Sequence, residues 1–515
     1  MDVRTTCPAN RRRGLIGLAA GMLAWGWVVV ATAAPATAPP ADLDAFFKQV
    51  REASALTAPL QRCLHMPDPP GSHWHPEAVR EYCAYKFPDV MTRATFAHLI
   101  DDGKAAEVDR AFAKYLDAQR RDPKGVSRLD GAYANLGLRD ASAESRRLID
   151  AWRRQRPDSA FAVAASGMQW YAAAKQGRGM ASNRETSADQ MQTMETFGAM
   201  ARDDLNKAAA MKPAFATPYS DQLGLAMYTG DDQGAADALT QGFALAPDDL
   251  SLWLSKAAFS AEKWGGSDAQ VAQIGQDAEA RTAKHPLMWV VVGRSHITLA
   301  THAQLQPPAD GRFLAVVDEV APPFDLGTLA AMAATAKKND EALVLAVEAL
   351  RFDDGNIFAL NALADAAYKT PQAPWAADML RRGAARHPDA MDNVRLAGMQ
   401  LVYLGGTFAE ATSLLESALA HDPKDKGVML RLAEYALRAH DHYEDAKRLA
   451  SRVIELYPDT PRAYVILIRA QIGTNDAGRI ATIHYFLDHY GNDSTYAEFT
   501  RQMRDYLAGQ EGRPG

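Results

Sequence analysis

The sequence predicts an all-α protein, an α-solenoid of helical hairpins with a period near 34 residues. Three observations carry this. First, prolines recur in one phase, at Pro123, Pro157, Pro213, Pro247, Pro286, Pro322, Pro388, Pro423 and Pro458. Their intervals are 34, 56, 34, 39, 36, 66, 35 and 35 residues; the 66 divides at Asp354 into 32 and 34, and the 56 is one period with 22 to spare. Two-helix units of this length stack to bury one continuous core. Second, small, mostly bulky and small residues stand 12, 8 and 5 places before the phase residue. The sets are Ala111/Tyr115/Ala118, Ala201/Leu205/Ala208, Ala235/Leu239/Gly242, Ala342/Ala346/Ala349, Ala376/Leu380/Gly383, Ala411/Leu415/Ala418 and Ala446/Ala450/Val453. Steps of four and three keep one helix face, and small residues there admit a close neighbour. Third, helix-start syntax recurs. Ser267 opens "SDAQ" after Gly265-Gly266, Thr407 precedes Glu410 after Gly405-Gly406, and Asp441 precedes Glu444. An oxygen side chain at that place satisfies a backbone N–H left over at a helix start, for about 1 kcal/mol. The glycines of "KWGGS" therefore read as the turn inside a hairpin. A phosphate-cradling loop is disfavoured, since no Lys-Ser/Thr pair follows.

Residues 1–33 read as a signal peptide. Arg11, Arg12 and Arg13 precede an apolar run from Gly14 to Val30, and Ala31-Thr32-Ala33 forms a cleavage pattern, with Ala36 as a second choice. The run is shorter than the ~20 residues of a spanning helix, so export to the periplasm or medium is expected rather than a retained anchor. Arg12-Arg13 also fits a loose twin-arginine pattern, which leaves the export route open. Removing residues 1–33, with four Arg and one Asp, takes the formal charge from −7 to −10. That balance argues against nucleic acid, which needs a basic footprint. No other long apolar run occurs, so no integral span is expected in the mature chain.

Residues 41–100 read as a helical segment stapled by a disulfide. Cys63 and Cys83 remain once Cys7 leaves with the signal, and an even pair in an exported chain defaults to a bridge. The rival is a metal site, because His65, Met66, His73 and His75 lie between them; the spacing matches no standard zinc pattern. "PDPPGSHWHP" cannot be helical through its prolines.

Residues 101–300 form a first block of repeats. Its 22-residue surplus is assigned to an inserted polar loop at 175–197, where Arg178 and Arg184, with Trp170 nearby, are the candidate binding residues. Residues 301–325, with four prolines, read as a hinge. Residues 326–490 form a second block, and 491–515 a tail. Two basic clusters, at 146–156 and 381–387, read as solvated helix faces or as contacts for acidic groups.

The triplets and terminal prolines resemble the tetratricopeptide repeat over residues from about 100 to 490. Trp253, Gly167, Gly398 and Trp170 agree with that repeat's first-helix positions. Trp152, Arg281 and Val317 depart from it at the close-contact site. A narrower resemblance covers about 145 to 300. "WRRQRPDSAFAVAASGMQWYAAAKQGRG", "LNKAAAMKPAFATPY" and "KWGGS" look like an uncharacterised bacterial tetratricopeptide-like domain of unknown function. Both resemblances imply helical repeats and offer no substrate or activity. Metal-protease, hydrolase-elbow, C-x-x-C and Walker patterns are missing from the sequence. Ser295 and His296 are adjacent, so on a helix they diverge by about 100 degrees. No catalytic residue, metal or cofactor is therefore expected. The expected function is an exported scaffold that binds a protein or peptide in a concave groove. The alternative is an enzyme or sensor that grips a small anionic ligand with the inserted loop.

Overall fold

The computed structural model describes residues 43–121, 128–179, 186–302, 306–386, 391–439 and 442–511. Arg184, Asp441, Pro123 and Pro388 lie outside these residues. Among the described residues there are 25 α-helices and no strand. The N-terminal segment supplies α1 (Leu43–Ser54), α2 (Pro59–His65) and α3 (Pro76–Lys86). Next come α4 (Arg93–Asp101), α5 (Ala105–Arg121), α6 (Arg128–Asn135), α7 (Ala143–Gln155), α8 (Ala160–Arg178) and α9 (Ala188–Ala210). They are followed by α10 (Thr217–Thr229), α11 (Asp232–Leu245), α12 (Leu250–Phe259), α13 (Asp268–Glu279) and α14 (Met288–Ala300). The chain continues through α15 (Pro323–Thr335), α16 (Asn339–Phe352), α17 (Ile357–Ala367), α18 (Ala373–Arg386), α19 (Met391–Gln400) and α20 (Phe408–His421). It closes with α21 (Lys426–Arg438), α22 (Tyr443–Leu456), α23 (Pro461–Gly473), α24 (Arg479–Tyr490) and α25 (Ala497–Glu511).

Sequence sets the starts. Ser142, Ser159, Asp231, Asp249, Ser267, Asn356, Thr407 and Asp425 each accept from the backbone N–H three residues on. The α22 helix begins with His442 at its cap and no side-chain cap bond. First helices of successive hairpins also touch one another, in the runs α8–α10–α12–α14 and α15–α17–α19–α21–α23.

The hairpins repeat one contact. A Cβ on Gly167 would sit 2.7 Å from Leu205, and one on Gly398 would sit 2.7 Å from Leu415. In both, a glycine of the first helix receives the leucine of the second-helix triplet. The triplets Ala342/Ala346/Ala349 and Ala446/Ala450/Val453 are buried. In α5 the phase differs: Val108, Phe112 and Leu116 face the core, while Ala111, Tyr115 and Ala118 are half-buried. The reason is aromatic packing, with Phe112 5.0 Å from Trp152 and 5.1 Å from Tyr133.

The expected loop at 175–197 needs correction. Residues 175–178 finish α8 and 188–197 begin α9, so most of the surplus lengthens two helices that pack along each other. A capping box starts α9: Ser187 Oγ accepts from Gln190 N, and the Gln190 side chain accepts from Ser187 N.

Residues 301–325 were expected to act as a hinge, yet much of their described part is core. Phe313, Val317, Val320 and Ala321 are buried and belong to the same apolar cluster as Trp253, Leu326 and Leu363. Gly293 of α14 packs so close that a Cβ there would lie 2.5 Å from Val320 O.

The N-terminal segment is built into this core as well. Cys63 and Cys83 are joined by a disulfide and are fully buried. That pairing overturns the metal reading of the two thiols. Helix α16 is buried on every side from Ala342 to Phe352. A helix at the rim of a bare array would keep one wet face. Here the segment covers it: α2 contacts α16, Trp375 Nε1 of α18 donates to Ser54 Oγ at 3.1 Å, and Trp74 Nε1 donates to Val317 O at 3.2 Å.

Candidate functional site

The side chains gathered on the shared face of the first helices come from α8, α10 and the turn after α12. Tyr171, Lys175 and Arg178 follow one another at steps of four and three on α8, so they share a face. Tyr171 meets Tyr228 of α10 edge to face, with ring centroids 6.1 Å apart. Tyr228 continues to Trp264, at 5.7 Å. Cations sit over this aromatic run. Lys175 Nζ lies 4.7 Å from the Tyr171 centroid and Arg178 Cζ lies 5.7 Å from that of Tyr228. Gly224 makes room, since a Cβ there would lie 2.6 Å from the Tyr171 hydroxyl.

Two lysines, one of α8 and one of the turn after α12, have shifted protonation. Lys175 and Lys263 are open to solvent, yet the pKa of each is lowered. Loss of surrounding water is the main cause for both; Asp221 opposes it at Lys175, and Arg294 adds to it at Lys263. Near Lys175 lies an ion pair whose carboxylate is buried. Arg139 lies 3.1 Å from Asp221, whose pKa burial raises against the pull of Arg139. Asp249, which caps α12, is pushed up to about 7 by burial first and by the charge of Asp130 second.

The N-terminal segment occupies one end of this face. Tyr85 lies 2.9 Å from Ser251 Oγ, which donates to Asp130 Oδ2 at 3.0 Å. A Cβ on Gly131 would meet Pro88 at 2.4 Å. Part of what a bare array would leave open is thus filled by the chain itself.

The three candidate binding residues are not brought together. Arg178 is on this face. Trp170, one residue before Tyr171, turns away and stacks on Phe197 of α9 at 5.4 Å, under the guanidinium of Arg146. Arg184 lies outside the described residues. Ser267 and Thr407 serve as helix caps, accepting from Gln270 N at 3.3 Å and Glu410 N at 3.2 Å. Ser295 is buried and donates to Val291 O, whereas His296 meets Asp318 at 2.8 Å. His75, weighed above as a ligand, stacks on Trp289 at 3.8 Å and meets Glu319 at 2.8 Å. Among the described residues, Glu262, Asp268 and His302 hold ligand atoms within 4.8 Å of one another. All three are exposed, and exposed acidic groups of this kind are common without an ion. Sequence reasoning missed Tyr171, Lys175, Tyr228 and Trp264. The i, i+4, i+7 spacing of Tyr171, Lys175 and Arg178 was the available signal.

Residues 404–472 match the tetratricopeptide repeat. They run from the turn before α20 into α23, so they carry the Thr407 cap and the Ala411/Leu415/Ala418 triplet. No curated protein matches the chain. Two solved structures are similar over long stretches. The P58(IPK) TPR domain is 15% identical, covers 61% of this chain and 95% of its own, and has a TM-score of 0.21. Yeast Tom70 is 14% identical, covers 83% of this chain and 96% of its own, and has a TM-score of 0.31. Overlaps at these TM-scores carry no residue of either protein over to this chain.

Proposed function

We propose that this tetratricopeptide-repeat-like scaffold binds an acidic protein segment or peptide along the groove formed by its first helices. The observation that carries the reading is the run Tyr171–Tyr228–Trp264 with Lys175 over Tyr171 and Arg178 over Tyr228. Aromatic side chains offer large contact area at low conformational cost, and Arg pairs a carboxylate through two parallel bonds. Helical arrays present extended binding surfaces of this kind. The basic, apolar N-terminus and the Cys63–Cys83 bridge support a periplasmic or secreted location for the work. Among the described residues no helix is long and apolar enough to cross a membrane.

The test is selection of random peptides on immobilised mature chain. Enriched sequences should be rich in Asp and Glu and should bind the purified chain at one site. The variant Tyr228→Ala with Arg178→Ala should lose that binding. Undiminished binding to the variant, or no acidic bias, would sink the proposal.

A further inference from the structure

The two basic clusters of the sequence end in different surroundings. At 146–156 four of the five arginines each meet a carboxylate: Arg146 with Asp150 at 2.6 Å, Arg147 with Asp101 at 2.7 Å, Arg153 with Asp204 at 2.9 Å and Arg156 with Asp109 at 2.8 Å. These pairs knit α7 to its own next turn and to α4, α5 and α9. At 381–387, Arg381 likewise pairs with Glu410 at 2.6 Å. Arg382 and Arg386 instead turn toward the N-terminal segment. There they meet a third guanidinium, that of Arg62 on α2.

These three arginines line one open pocket of about 370 Å³ between α18 and the α1–α2 turn. Arg386 Nη1 lies 2.6 Å from Asp354 Oδ2, and Arg62 Nη2 reaches the same oxygen at 3.4 Å. Arg386 also lies over the Phe87 ring, 5.9 Å from its centroid, and two further contacts go to neutral carbonyls. Arg62 Nη1 donates to Leu56 O at 3.2 Å, and Arg382 Nη2 donates to Ser54 O at 2.9 Å. Among the described lining residues, three guanidiniums thus face a single carboxylate, a formal excess of two positive charges. Arg62 is only 12% exposed at its side chain, and its pKa is lowered by burial first and by Arg382 second. Like charges crowded together favour any anion that enters between them.

We propose that this pocket is a binding site for a small dianion of the phosphate class. The excess charge matches a dianion. Guanidinium forks that enter from two separate elements suit a tetrahedral group of oxygens better than a flat carboxylate. Because one wall is α18 and the other is the N-terminal segment, an anion bound there ties the segment to the repeats. A ligand held only by the docked arrangement stabilises that arrangement in proportion to its occupancy.

Inorganic phosphate is the probe, titrated into the full mature chain with its disulfide intact, with chloride at matched ionic strength as the reference. Phosphate should raise the melting temperature saturably and bind at one site by calorimetry. Acetate should bind at least tenfold more weakly. Arg382→Gln with Arg386→Gln should weaken phosphate at least tenfold. Asp354→Asn, which removes the competing carboxylate, should tighten it several-fold, so the two variants shift in opposite directions. A response no larger than that to chloride would overturn the site. So would equal phosphate affinity in the native chain and both variants. Acetate binding as well as phosphate would overturn the phosphate class. None of these residues is on the aromatic face of α8 and α10, so failure here leaves the peptide reading standing, and the reverse.

Discussion

Arg351 of α16 donates through Nε to the main-chain oxygen of Cys63 at 2.9 Å, across 288 residues of chain. The same guanidinium meets Asp68 at 2.7 Å and Glu348 at 3.2 Å. One buried side chain therefore bridges the two sides of the interface between the disulfide-stapled segment and the repeats. Replacing it with alanine would leave the buried Glu348 carboxyl and the Cys63 carbonyl without this donor. Each buried polar group left without its partner costs about 1–3 kcal/mol. Arg351→Ala should lower the urea midpoint accordingly. A loss under about 1 kcal/mol, the range of surface pairs, would show that the contact is dispensable.

The same pair sets a pH dependence. Burial pushes Glu348 from its ordinary 4.5 up to about 8, against the pull of Arg351. The folded state then keeps a proton that the unfolded chain has already released. The resulting stability is complete below about pH 4.5 and is lost as pH rises through 8. Asp249, pushed up to about 7, adds a parallel loss at slightly lower pH. Melting temperature should therefore fall between pH 5 and pH 8. Glu348→Gln stays neutral throughout and should flatten part of that slope; an unchanged slope would place the titration elsewhere.

The glycines of "KWGGS" divide the labour of a turn. Gly265 has φ +89 and open space around it, so it supplies conformation. Gly266 supplies clearance, since a Cβ there would lie 2.0 Å from the main-chain oxygen of Ser260. Gly265→Ala should cost about 1 kcal/mol for the left-handed backbone. Gly266→Ala must move backbone and should cost about 3 kcal/mol, the upper end for forced overpacking. In the parallel turn a Cβ on Gly406 would lie 3.0 Å from Leu401 O, so Gly406→Ala should be milder than Gly266→Ala. Urea unfolding of the three variants gives the order directly.

The repeats were legible because their information is local. Caps such as Ser267 and small positions such as Ala411 and Ala418 depend only on neighbours within one hairpin. The lengthening of α8 and α9 was legible in principle. "SADQ" at 187–190 has the same syntax as "SDAQ" at 267–270, but the polar, glycine-broken "KQGRGMASNRET" ahead of it carries no apolar helix pattern. The docking of the N-terminal segment left one trace, the all-apolar run "ALVLAV" of α16, since a helix apolar all round must be covered. What covers it could not be read, because Arg351–Cys63 and Trp375–Ser54 join positions about 300 residues apart. The candidate face was half legible. Arg178 and Trp170 could be named, but the aromatic on this face is Tyr171, and a single step along a helix turns the side chain by about 100 degrees.

That single step defines the last prediction. If Tyr171, Lys175, Arg178 and Tyr228 are the working surface, substitutions there should separate binding from stability. Lys175 is exposed, where changes usually stay within about 0.5 kcal/mol, while Arg178 is half-buried and donates to Gly179 O, a bond of about 1 kcal/mol. Lys175→Ala with Arg178→Ala should therefore cost no more than about 2 kcal/mol in stability while weakening an acidic peptide by about tenfold or more. Its binding should also lose most of its salt dependence, since the screened charges are gone. Trp170→Ala should do the opposite. The ring packs between Phe197 and Arg146, so its loss should cost about 3 kcal/mol in stability and little peptide affinity. Peptide anisotropy titrations at two salt concentrations, run beside urea melts of both variants, make the comparison. If Trp170→Ala loses the peptide at unchanged stability, the binding surface lies on the α7–α9 side instead.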